Sequence, residues 1–147
     1  MRGILIRVGL IALVLGGIYV FRDKLPGNAS TLAVGDCFDV PTGNETIEDV
    51  QHHPCTEAHG GEVVHSANYE PAGATYPTDA EFEDYAADKC LPAFEAYTGR
   101  TYESAIDLEI EWFVPTSESW ADGNKKVVCY AVNADGTTLT KSLKVSS

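Results

Sequence analysis

All four histidines of this chain, His52, His53, His59 and His65, fall in one short stretch that also holds Cys55 and Glu62. Imidazole, thiolate and carboxylate together form a donor set suited to zinc, copper or iron, and His53, His59 and Glu62 are the ligands such an ion would take. The spacing argues against it. No C-x-x-C pair is present, and a disulfide through Cys55 would leave the histidines on a loop and a strand. The reading therefore assigns no metal and no cofactor. His59 and Glu62 are three apart, so they share a face in a helical turn and point to opposite sides in a strand. Trp120 precedes the turn Asp122-Gly123-Asn124, where an indole is more often a core plug than a ligand platform. His59 and Glu62, with Trp120, form the candidate interaction surface.

Other catalytic constellations are missing. The chain has no G-x-S-x-G elbow, phosphate loop or dinucleotide fingerprint. With 22 Asp and Glu residues, pairs of carboxylates arise from abundance alone and identify no acid-base site. The expectation is a protein that is not an enzyme. A formal net charge of −12 excludes nucleic acid as a partner held by bulk electrostatics. Asn28-Ala29-Ser30 and Asn44-Glu45-Thr46 match the glycosylation acceptor pattern, relevant only in a host with that chemistry.

The four cysteines are Cys37, Cys55, Cys90 and Cys129. An even number in a short exported chain reads as a disulfide framework, and three connectivities are open. Cys37–Cys55 with Cys90–Cys129 is favoured, since the first pair flanks a turn-rich loop and the second joins a helix to a strand. A domain of this size is marginal without such staples.

The elements that must position these groups follow from periodicity. Strands are expected over Leu32 to Val40, Thr46 to Gln51 and Gly61 to Asn68. Thr78 to Tyr97 reads as the main helix: Thr78 and Glu81 have capping-box spacing, and an apolar stripe runs from Phe82 to Tyr97. Pro92 should kink or divide it near Leu91, and Gly99 should end it. From Ile106 to Phe113, Ile106, Leu108, Ile110 and Trp112 alternate with Asp107, Glu109 and Glu111, the pattern of a half-buried strand with an acidic outer face. Lys126 to Val132 is apolar on both faces, as a central strand would be. Asp135-Gly136 then turns the chain into a last strand over Leu139 to Val145. The fold class is α+β: a small antiparallel sheet with one main helix on one face and two disulfides.

Ahead of this domain, Ile4 to Phe21 is apolar except for Arg7. The run is short but adequate for a membrane span, with Arg7 snorkelling to the headgroups. Arg22-Asp23-Lys24 looks nothing like a cleavage site, so an uncleaved N-terminal transmembrane helix is preferred to a signal peptide. The domain plan is an anchor over 1–23, a linker over 24–31 and an extracytoplasmic domain over 32–147.

Several of these features together resemble one family. They are Val34-Gly35-Asp36-Cys37-Phe38, Val50, Cys55-x-x-x-His59-x-x-Glu62-Val63, Tyr76-Pro77, Cys90, and Trp120-x-x-Gly123 leading into Val127-Val128-Cys129. This is similar to the septum formation domain of actinobacterial membrane and secreted proteins, over about Leu32 to Val132. The resemblance implies a bacterial envelope protein with cysteines paired first to second and third to fourth. It also implies a link to cell division or envelope assembly. Lys125-Lys126 stands where family members often carry Arg, so an arginine-specific bidentate contact is not expected there.

The function expected from all of this is a membrane-anchored, extracytoplasmic binding or scaffold module of the cell envelope. Its partners would be the membrane and envelope or division proteins. The alternatives are a metal- or ligand-binding envelope enzyme using the His52 to His65 region, or an accessory subunit of a membrane complex.

Overall fold

The computed structural model describes residues 26–42, 50–70, 73 and 75–146. The expected anchor over 1–23 and most of the expected strand at 46–51 lie outside the described residues. The described strands are β1 (Pro26–Gly27), β2 (Cys37–Phe38), β3 (Val50–His53), β4 (Gly61–Asn68), β5 (Leu108–Phe113) and β6 (Lys126–Asn133). They form one sheet in the order β1-β3-β2-β4-β6-β5, every pair antiparallel. β4 and β6 pair along their whole length, with one register shift between Val63 and His65. That bulge turns both Val64 and His65 toward the helix: Val64 joins the helix-side core and His65 reaches Tyr85.

The helix runs as α1 (Asp79–Tyr85), a π turn (Ala86–Cys90) and α2 (Leu91–Thr98). Its start is the expected capping box: Glu81 N–H donates to Thr78 Oγ1 at 3.3 Å and Thr78 N–H to Glu81 Oε2 at 2.8 Å. As expected from Pro92, the regular helix is divided at Leu91, although the chain stays helical through the π turn. The π turn carries the Leu91 N–H to the Ala86 carbonyl, so the widened turn lies just ahead of the residue that lacks a donor. Gly99, at φ +69°, closes α2 with its N–H on the Glu95 carbonyl. A short helix α3 (Ser117–Ala121) follows β5.

Two cores lie on opposite faces of the sheet. On the helix side Phe82, Tyr85, Ala86, Cys90 and Phe94 pack against Val64, Leu108, Val127, Cys129 and Ala131. On the other side Leu32, Phe38, Val50, Val63, Val128 and Tyr130 pack together. Phe38 of β2 and Phe113 of β5 are three strand steps apart, about 14 Å in a flat sheet. Their ring centroids are 5.8 Å apart. The sheet is therefore curled around this second core. Cys37–Cys55, with Cα atoms 5.3 Å apart, ties β2 to the loop after β3; Cys90–Cys129, at 5.7 Å, ties the helix to β6.

Several expectations need correction. Only Cys37–Phe38 of the stretch Leu32 to Val40 is paired as strand. Residues 26–31, read as linker, contribute β1 and a 3-10 turn over Ala29–Thr31 with Ala29 buried. Ile106 does not face the core: it is 88% exposed, because a turn bonding Leu108 N–H to the Ala105 carbonyl delays the strand to Leu108. Leu139 to Val145 is not a strand. It makes one isolated bridge outside the named strands, His59 to Leu139, and further along it bonds to Glu62 of β4 and to Tyr97 of α2.

Candidate functional site

Two of the bonds from this C-terminal segment go to Glu62. This residue follows Gly60 and Gly61 at the start of β4, two glycines packed closely against their neighbours. A Cβ on Gly60 would meet the backbone nitrogen of Val40 at 2.7 Å, and one on Gly61 the Tyr130 ring at 3.0 Å. The chain can pass this close to β2, and Glu62 is delivered into the interior with no exposed surface at all. Its carboxyl oxygens accept three hydrogen bonds: from the Tyr97 hydroxyl on α2, from Ser142 Oγ at 2.6 Å and from Leu143 N–H at 2.7 Å. Burial and the Glu62 contact push the Tyr97 phenol well above the usual tyrosine range.

His59 is equally buried. It exchanges backbone hydrogen bonds with Leu139 at 2.8 and 3.0 Å, and Nδ1 lies 2.7 Å from the Glu57 carbonyl. That contact makes Nδ1 the donor and turns Nε2 toward Glu62 Oε2, 4.0 Å away and beyond hydrogen-bond reach. His59 and Glu62 thus converge without a helical turn, because the irregular path through Gly60 and Gly61 replaces strand alternation.

Trp120 is 2% exposed and belongs to a separate aromatic cluster, edge-on to Tyr69 at 5.7 Å and to Tyr76 at 5.9 Å. Lys125 Nζ stands 3.8 Å over its ring and donates to its carbonyl at 2.9 Å. His59, Glu62 and Trp120 are therefore not an interaction surface. All three are interior groups, and Trp120 is a core plug.

The other histidines scatter. His53 Nε2 sits 2.9 Å from Asp39 Oδ2, and His65 Nε2 sits 3.0 Å from the Tyr85 hydroxyl. Burial and nearby Lys89 hold the His65 pKa below its usual value. Cys37, Cys55 and Glu62 bring ligand atoms within 4.8 Å of one another, but the two sulfurs are bonded to each other and offer no thiolate.

The surface feature that composition did not flag is β5. It is the last strand of the sheet, paired with β6 on one side only. Ala134 N–H donates to the Asp107 carbonyl, so Asp107, Glu109, Glu111 and Phe113 turn their backbone groups toward β6. Ile110 and Trp112 then point theirs outward, where they meet no partner among the described residues. Glu109 and Glu111 are exposed beside this row, Trp112 is 38% exposed, and Ile106 and Val114 stand exposed at its two ends. An edge strand of this kind is a template for a further strand.

No curated protein and no solved structure matches this chain. A family model described as septum formation matches residues 34–146, a span containing both disulfides, the Glu62 centre and the open β5 edge. On that match over most of its length, the chain belongs to the septum formation family.

Proposed function

We propose that this chain is a binding module, not an enzyme, that serves septum formation or cell division by engaging a protein partner outside the cytoplasm. Residues 1–23 anchor it to the membrane. The observation that carries the reading is the open β5 edge, where the outward backbone groups of Ile110 and Trp112, without a partner among the described residues, lie between exposed Ile106 and Val114. The two disulfides support an oxidising compartment. The polar residues most suited to catalysis, Glu62 and Tyr97, bond to each other and to the C-terminal segment.

The test is site-specific photocrosslinking in intact cells, with a photoreactive residue at position 112 and a control at exposed Asp84 on α1. The expected result is a discrete adduct with a septal or envelope protein from position 112 and none from position 84. Equal labelling from both positions, or none from 112, would overturn the reading.

A further inference from the structure

We infer that the β5 edge takes an extended protein segment in which cationic and apolar residues alternate, added as a further strand. This rests on the reading that β5 is the binding edge and goes further by naming the chemistry of what binds. On the outer side of β5 the hydrogen-bonded positions are Ile110 and Trp112, and the positions between them carry Glu109 and Glu111. In an antiparallel addition, side chains opposite Glu109 and Glu111 occupy the non-hydrogen-bonded sites, where Cβ atoms come closest and opposite charges gain most. Lys or Arg belongs there. The residues between them face Ile110 and Trp112, so apolar side chains belong at those sites.

The same two carboxylates argue against a second copy as the occupant. A β5–β5 pair centred on Ile110 sets Glu109 against Glu111, and one centred on Glu111 sets that residue against itself. Like charges directly opposite are destabilising. Nearby charges do not cancel the preference. Asp107 is held by Arg100, and Tyr130 Oη donates to only one oxygen of Glu111, at 2.8 Å. In those two registers the edge repels its own kind, and the two carboxylates favour a basic strand.

The experiment is fluorescence anisotropy on the full chain in nonionic detergent, with three labelled peptides. One alternates Lys and Val, one has the same residues in two blocks, and one alternates Glu and Val. The alternating Lys peptide should bind about tenfold more tightly than the block peptide, and its affinity should fall with added salt. Ile110→Pro removes an outward N–H while leaving the β6 ladder intact, and should abolish binding. The double variant E109K/E111K should reverse the preference toward the Glu peptide, which keeps the proposal falsifiable should the proline variant fail to fold.

Binding that survives Ile110→Pro in a folded protein, or equal affinity for the alternating and block peptides, overturns the inference. So does a dimer in sedimentation that Ile110→Pro dissolves, with no peptide bound. Peptide failure alongside persistent crosslinks from position 112 sinks the basic strand alone. Loss of those crosslinks sinks the binding edge itself.

Discussion

Glu62 is the residue whose removal should be felt most. Its fully buried oxygens satisfy three donors: the buried Tyr97 hydroxyl, the backbone N–H of half-buried Leu143 and the hydroxyl of exposed Ser142. Glu62→Ala would orphan the buried Tyr97 hydroxyl and the half-buried Leu143 N–H, each at a cost of about 1–3 kcal/mol, while exposed Ser142 can turn to water. A loss of about 3–5 kcal/mol is expected in urea unfolding, whereas Tyr97→Phe, which removes one donor and strands none, should cost about 1 kcal/mol. The buried phenols of Tyr97 and Tyr130 give the fold a pH signature. Burial and Glu62 raise the Tyr97 pKa, and burial and Glu111 raise that of Tyr130. The unfolded chain loses such protons near pH 10 while the fold retains them, so the folded state binds more protons above that pH. Stability should therefore be level to about pH 10 and fall as pH rises beyond it. Unfolding midpoints measured from pH 8 to 11 would show this, and Tyr130→Phe should flatten the decline.

At the scale of elements, much was legible in the sequence, and the reason is locality. The Thr78 and Glu81 cap, the apolar stripe of the helix and the Gly99 stop are each decided within a few residues, and all three stand in the structure. Thr78→Ala should cost about 1 kcal/mol, readable as a lower melting temperature. Ile106 shows where alternation misleads. Its spacing matches Leu108 and Ile110, but a turn that alternation does not encode holds it outside, and Ile106→Ser should change stability by less than about 0.5 kcal/mol. The candidate site was legible only in part. His59 and Glu62 were singled out by type, yet what buries them is a tail some eighty positions away in the chain. The free edge was illegible for a related reason: whether a strand has one neighbour or two is a fact of topology.

The whole molecule depends on its covalent links. The cysteines at 37 and 55 close a loop of sequence separation 18, those at 90 and 129 one of 39. On the loop-entropy model these contribute about 3 and 4 kcal/mol, comparable to the stability of a domain this size. Thiol titration of native protein should find no free thiol, and reduction should unfold the domain under otherwise native conditions. Retention of near-ultraviolet circular dichroism after full reduction would refute that dependence.

The docking of residues 139–145 has a consequence for the order in which the molecule comes into being. A growing chain that has supplied the whole sheet and helix, but has not yet delivered Ser142 and Leu143, encloses a carboxyl group lacking two of its three donors. Until that late segment arrives the Tyr97 hydroxyl alone holds the carboxyl, and the docking of Ser142 and Leu143 completes its set of donors.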